Sequence, residues 1–169
     1  TNVRIIDGTG AQPYPGDVHV QGNRIARVGR GPRALPSAAG NGTTVIDGAG
    51  ATPMPGMVEA HTHFSWNDQP GLSDIQRMPT EEHILWCAHI AKRYLDMGWT
   101  SCIGAATAKP RLDVVIRNAI EAGQIPGPRY LAASQETTVP GGLGDETLPH
   151  LPYPEFSFGA IVNGPEEMR

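Results

Sequence analysis

The sequence contains little cysteine and little charge, and both shortages exclude classes of function. The two cysteines, Cys87 and Cys102, have no metal-type spacing and predict no disulfide framework, so we expect a reducing, cytoplasmic compartment. Charged residues make up 18% of the chain and the net charge is −4, without the basic stripe that binds nucleic acid. No apolar run approaches the ~20 residues of a membrane span, and the opening residues show no signal-peptide pattern.

Glycine and proline, by contrast, are abundant. The 169 residues include 21 glycines and 16 prolines, which predicts many tight loops between short elements. Apolar residues still reach 39%, enough for a globular domain with a core.

Residues 1–54 predict a small antiparallel β unit. Apolar and polar residues alternate there in short runs, and Gly22-Asn23 has the composition of a two-residue hairpin turn. Four strands are expected, over residues 3–7, 17–21, 24–28 and 44–47. A unit of this size is marginal alone, so we expect it to pack on something else.

Residues 55–169 predict an α/β fold. Strand patterns within 55–64, 100–105 and 129–133 alternate with helix patterns from Thr80, as the N-cap, to Gly98 and from Pro110 to Gly123. This alternation is typical of a parallel sheet with crossover helices. Residues 65–79 and 136–160 predict long loops, and Pro165 begins a helix pattern. Three strands cannot close a barrel, so the chain is interpreted as the N-terminal part of a larger protein.

The motif His61-Thr62-His63 ends the first strand of that α/β region. Residues at i and i+2 of a strand share a face, so Glu59, His61 and His63 are expected to point the same way. Two such imidazoles can bind one metal ion, with a carboxylate beside them. The alternative is two histidines satisfied by backbone partners, because His-x-His also occurs by chance.

Six stretches, spread over nearly the whole chain, carry a combined signature. They are residues 6–10 (IDGTG), 47–50 (DGAG), 55–63 (PGMVEAHTH), 95–101 (LDMGWTS), 117–129 (RNAIEAGQIPGPR) and 141–145 (GGLGD). Together they resemble the amidohydrolase superfamily of metal-dependent hydrolases, in its imidazolonepropionase-like and dipeptidase-like branch. The resemblance implies a (β/α)8 barrel with a small β-sandwich beside it. Residues 1–54 would belong to the sandwich and residues 55–169 would form the first three β/α units of the barrel.

The same resemblance implies that His61 and His63 ligate a divalent metal, zinc in type, with one or two ions per site. Barrel active sites lie at this end of the strands. Glu59 stands where relatives often have aspartate, and it could orient a ligand. The other ligands of the family are a carboxylated lysine, two histidines and an aspartate on later strands. Lys92 and Lys109 do not match that lysine position, so the general base and most of the metal ligands are expected beyond the end of the chain.

These implications predict hydrolysis of an amide-type C–N bond in a small molecule by metal-activated water. Candidate substrates are a dipeptide, an N-acyl amino acid, a cyclic amide, a carbamate or a urea. Two alternatives stay open: a metal-dependent deaminase of a ring substrate, and a non-catalytic scaffold. We expect the remainder of the polypeptide or a second chain to complete the barrel, and the protein to form a homo-oligomer.

Other residues carry weaker predictions. Trp66, just after the metal strand, and His150, in the long loop, are candidates for substrate binding, although loop packing and a surface position explain them equally or better. His83 is interpreted as a surface residue and His89 as a helix-packing residue. Both cysteines are expected to be small core residues.

Overall fold

The computed structural model describes residues 1–31, 42–145, 147 and 158–169. These fall into two compact units, Thr1–Pro55 and Gly56–Arg169. The elements in chain order are β1 (Val3–Ile5), β2 (Tyr14–Gln21), β3 (Arg24–Arg30), β4 (Met57–Thr62), α1 (Leu72–Arg77), α2 (Thr80–Asp96), β5 (Trp99–Gly104), α3 (Leu112–Glu121), β6 (Arg129–Leu131), β7 (Glu136–Thr138) and β8 (Gly159–Ile161). None of the helices in these ranges is long and apolar enough to cross a membrane.

The first unit contains an antiparallel sheet in the order β1-β2-β3. The predicted hairpin joins β2 to β3, with Gly22 at a φ of +61° that suits a tight turn. The predicted fourth strand at 44–47 is wrong. Residues 46–53 instead run beside β1 with irregular hydrogen bonds, among them Arg4 N to the carbonyl of Ala51 and Ile6 N to the carbonyl of Pro53, both at 3.0 Å.

The second unit contains a parallel sheet in the order β4-β5-β6, with α2 and α3 on its crossovers. The alternation of strands and helices thus confirms the α/β prediction. Helix α2 begins at Thr80, but the N-cap position is occupied by Pro79 and no side chain caps it. The prediction of Thr80 as N-cap is therefore wrong. The carbonyl of Pro79 accepts the first helical hydrogen bond, from His83 N at 2.9 Å.

Two predicted loops contain short elements. Helix α1 lies within residues 65–79. Strand β7 lies within residues 136–160 and pairs in parallel with β8, which begins there and ends at Ile161. These elements span six residues or fewer, too short for a period to be visible in the sequence. The expected helix after Pro165 is a turn.

One face of the parallel sheet packs on the helices. Cys102 of β5 and Tyr130 of β6 are paired, and both lie in one apolar cluster with Cys87 of α2 and Ile116 of α3. The two cysteines are free and buried, which confirms the prediction of core positions. Phe64, just beyond β4, joins the same cluster.

Gly56 allows β4 to enter the sheet. A Cβ atom at this position would lie 2.0 Å from Oγ1 of Thr100, on the neighbouring strand β5. Such a contact would force backbone or side chain to move. Packing against Thr100 therefore explains the glycine in front of the histidine strand.

Candidate functional site

His61 and His63 lie together at the carboxyl end of β4. Their Nε2 atoms are 3.1 Å apart and their ring centroids 4.9 Å apart, with the rings at 76°. The exposed side chain of His61 and the half-buried one of His63 thus converge on one point, as the motif predicts.

Backbone contacts set the orientation of both histidines. Nδ1 of His63 lies 3.0 Å from the carbonyl oxygen of Ala106. A carbonyl only accepts, so Nδ1 carries the proton and the lone pair of a neutral ring lies on Nε2, towards His61. Oε1 of Glu59 accepts a hydrogen bond from the backbone N–H of His61 at 3.0 Å. Glu59 therefore holds the backbone of one histidine.

The strict alternation of faces does not hold along β4. The ladder with β5 shifts register between Glu59 and Thr62, so one extra residue lies on β4, as in a β-bulge. Glu59 and both histidines nevertheless line the same cavity, whose volume is about 430 Å³.

The two imidazoles fit a metal ion as part of a larger ligand set. Two nitrogens bound to one tetrahedral zinc ion at 2.0–2.1 Å lie ~3.3 Å apart, close to the 3.1 Å between His61 and His63. Within the described ranges no group of three or more His, Cys, Asp or Glu residues could hold a metal. A simple hydrogen bond between the two rings fits the same distance.

Trp66 also lines this cavity. Its ring lies against His63, with centroids 4.1 Å apart at 33°, and against Phe158, with centroids 5.1 Å apart. Trp66 is thus next to the histidine pair, where a substrate-binding role remains a prediction. His150, the other candidate for substrate binding, lies outside the described residues.

His83 is fully buried, so its prediction as a surface residue is wrong. His89, expected to pack, is exposed, and its ring lies beside that of Trp86, with centroids 6.0 Å apart at 49°. The sequence carried a signal for His83, since it lies four and seven residues before the buried Cys87 and Ile90 of the same helix. Burial lowers the pKa of His83 below its ordinary value of 6.5.

The lysines differ in their surroundings. Lys109 is buried and donates a hydrogen bond to the carbonyl of Met78, and burial lowers its pKa. Lys92 is exposed on α2 and pairs with Asp96. Neither belongs to the cavity at the histidine pair.

A buried carboxylate ties together the loops after β5 and β6. Asp113 accepts a hydrogen bond from Ser134 N at 2.7 Å, and the Ser134 carbonyl accepts one from Thr107 N at 3.0 Å. Ser134 has a φ of +85°, which is strained for a residue with a side chain. The bonds to Asp113 and Thr107 hold it there, at the same end of the sheet as the histidines.

Several solved structures share this fold. A crystal structure of an amidohydrolase matches with a TM-score of 0.73 at 20% identity, over 98% of this chain and 40% of that one. A Xaa-Pro dipeptidase with methionine bound in its active site matches with a TM-score of 0.71 at 20% identity, over 99% and 42%. Phenylurea hydrolase B matches with a TM-score of 0.58 at 26% identity, over 81% and 30%.

A scan against protein-family models and a search of curated proteins found no match. The chain spans about two fifths of the length of the first two solved structures. It has the α/β fold of these amidohydrolase structures and corresponds to an N-terminal portion of them.

Proposed function

We propose that this chain is part of a metal-dependent hydrolase that cleaves an amide-type carbon–nitrogen bond. The observation that carries the proposal is the convergence of the Nε2 atoms of His61 and His63 at a strand end, 3.1 Å apart. The fold of amidohydrolase structures around that pair supports it. The names of the similar proteins, a dipeptidase and a phenylurea hydrolase among them, support a carbon–nitrogen bond as the target.

The uncovered face of the parallel sheet supports a closed (β/α)8 barrel. Ile103 and Leu131 are paired on that face, and Val58, which pairs with Ser101, lies on it too. Their exposed fractions are 62% for Val58, 39% for Ile103 and 67% for Leu131. Parallel sheets are normally covered on both faces. Further strands and the packed interior of a barrel would bury these side chains.

We infer that residues 55–169 supply the first three β/α units of that barrel and residues 1–54 part of a β-sandwich. The remainder of the polypeptide or a second chain would supply the other units. The general base and the remaining metal ligands would lie there too. A homo-oligomer and a cytoplasmic location remain predictions from the sequence.

The residues of this chain have defined tasks in the proposed site. His61 and His63 would hold one divalent ion, zinc in our proposal, through their Nε2 atoms, in a site of one or two ions. The Ala106 carbonyl keeps the proton of His63 on Nδ1, and Glu59 fixes the backbone of His61. When bound, such an ion lowers the pKa of water and polarises a carbonyl. We propose a small substrate: a dipeptide, an N-acyl amino acid, a cyclic amide, a carbamate or a urea.

The test is metal content and hydrolysis in the intact protein that contains this chain. Purified protein is expected to hold one or two zinc ions and to cleave at least one compound of these substrate classes. The variant His61→Ala/His63→Ala should lose metal and activity together. The matched control is His19→Ala/His89→Ala, which also removes two histidines, one in β2 and one on the exposed side of α2, and should keep both.

Two results would overturn the proposal. Full activity in His61→Ala/His63→Ala would remove the histidines from the site. An intact protein that holds no metal, and gains no stability from added zinc, would instead fit a non-catalytic scaffold.

A further inference from the structure

The indole of Trp66 is fixed on more than one side. Its ring packs on His63 and on Phe158, with centroids 4.1 and 5.1 Å away. Its backbone N–H donates to the carbonyl of His63 at 3.2 Å. A side chain held in this way restricts the neighbouring imidazole, because His63 cannot rotate towards Trp66 without a clash.

Helix α2 holds the backbone beneath that indole with two ring N–H groups. Nε2 of His83 lies 2.6 Å from the carbonyl oxygen of Ser65, and Nε1 of Trp86 donates to the carbonyl of Trp66 at 3.3 Å. His83 and Trp86 are three residues apart and therefore neighbours on one helix face. Oγ of Ser65 also accepts a hydrogen bond, from Ala108 N at 2.8 Å.

Burying a histidine at position 83 is unfavourable unless the hydrogen bond from its ring offsets the cost. Its side chain is fully buried, and among the described residues its Nδ1 has no hydrogen-bond partner. A buried polar atom without a partner costs stability, and leucine would fill this space without that cost. The one hydrogen bond that the ring makes within the described ranges is the donation from Nε2 to Ser65. We therefore attribute the histidine at this position to its hydrogen bond with the loop at Ser65 and not to core packing.

We propose that Trp66 is a positioning residue for His63, and that His83 and Trp86 hold Trp66 in its place. The functional importance of His63 in this inference rests on the proposed function. The network acts through His63: α2 fixes the backbone of residues 65 and 66, the indole fixes the imidazole, and the Nε2 atom of His63 stays directed at His61.

The first test measures the position of the indole without any metal. In the intact apoprotein with isotope-labelled histidine rings, the ring protons of His63 should be displaced upfield by the ring current of Trp66. Trp66→Leu should remove this displacement, which would assign it to the ring of Trp66. His83→Leu should remove most of it, and His83→Gln, which keeps an N–H donor at a similar reach, should restore it.

Cys87→Ala is the matched control for lost packing. Cys87 is buried on the same helix, four residues after His83, and within the described ranges no side-chain hydrogen bond joins it to residue 65 or 66. It should lower stability and leave the His63 shift unchanged. If His83→Leu does not fold, Trp86→Phe replaces it, because it keeps an aromatic ring and removes the donor to the Trp66 carbonyl.

Unchanged His63 shifts in His83→Leu and Trp86→Phe would overturn the inference. An equal loss of the upfield displacement in Cys87→Ala would also overturn it, since the effect would then reflect general loosening of the core.

A second readout is zinc affinity, which should fall about tenfold or more in His83→Leu, as for other residues that orient metal ligands, and recover in His83→Gln. If the unaltered protein binds no zinc through His61 and His63, the proposed function fails. The ring-current result still decides the role of Trp66 in that case.

Discussion

The two units of the chain differ in what they bury. In the first unit, Ile5 is the one buried hydrophobic side chain among the described residues, while Ile25 and Ile46 are 68% and 72% exposed. In the second unit, eleven buried side chains of the described residues form one apolar cluster, which includes members of the sheet, α2 and α3. An antiparallel sheet of three short strands removes little apolar surface from water, whereas two helices laid on a parallel sheet remove much more.

Both units leave apolar side chains exposed, but for different reasons. The first unit has hydrogen bonds but little core, so its apolar side chains need another surface to cover them. The second unit has a core on the helix side of its sheet, and Val58, Ile103 and Leu131 are exposed on the other face in the part of the chain that the structure describes. The histidine pair lies in the unit with the larger core.

The largest effect that separates the units should come from removing a core side chain. Ile116→Ala on α3, where the side chain is 1% exposed, should lower the free energy of unfolding by about 2–5 kcal/mol. Ile25→Ala on β3, 68% exposed, should change it by about 0.5 kcal/mol or less. Chemical denaturation measures both, and equal losses would contradict the contrast between the units.

A second comparison uses one glycine from each unit. Gly56→Ala should cost about 1–3 kcal/mol, because its Cβ would lie 2.0 Å from Oγ1 of Thr100. Gly48→Ala in the first unit should cost less, because only the Cγ1 atom of Val3, at 2.3 Å, comes within 3.0 Å of the added Cβ, whereas at Gly56 three side-chain atoms of Thr100 do, its Cβ included.

The control for this comparison is a second change at the contact. Combining Gly56→Ala with Thr100→Gly should recover part of the loss, and denaturation curves of the four variants would measure it. No recovery would place the cost of Gly56→Ala outside the contact with Thr100.

The pH dependence should also differ between the units. Burial lowers the pKa of His83, so below its ordinary value of 6.5 the unfolded chain binds more protons and the second unit loses stability. In the first unit, hydrogen bonds lower the pKa values of Asp7 and Asp47 from 3.8. The stability that these two carboxylates contribute is therefore lost only in stronger acid.

Tryptophan fluorescence can follow this effect, since all three tryptophans lie in the second unit. Between pH 7 and pH 5 the unfolding midpoint should fall in the unaltered protein and change less in His83→Gln. A parallel decline in both proteins would assign the effect to other groups.

The smallest expected effect concerns thiol chemistry. Burial raises the pKa of Cys87 to about 12 and that of Cys102 to about 11, so neither thiol should react with iodoacetamide at neutral pH. Mass spectrometry should detect labelling only after denaturant opens the second unit. Rapid labelling of either cysteine in native protein would contradict the core assignment.

The comparison of sequence and structure is most instructive around α2. Its length, its apolar stripe and the core position of Cys87 follow from a period of 3.6 residues over seventeen residues. His83 lies on that stripe, although the polarity of histidine by itself favours an exposed position. Only the packed structure reveals the Ser65 carbonyl that satisfies its Nε2.

The short elements teach the complementary lesson. Helix α1 and strands β7 and β8 have too few residues to carry a period, and tertiary contacts stabilise them. The segment 44–47 has strand composition but forms no regular ladder, and the residues after it are irregular, with positive φ angles at Ala49 and Gly50 and no N–H at Pro53. Composition alone does not distinguish these cases.

The sequence by itself determined the β2–β3 hairpin, the alternation of β4, α2, β5, α3 and β6, and the presence of two histidines at a strand end, because these depend on local period and spacing. The tertiary structure decided how those histidines are held. The Ala106 carbonyl that sets the proton of His63 lies 43 residues away in the chain. The register shift in β4 and the N–H donors of α2 depend likewise on partners that meet only after folding.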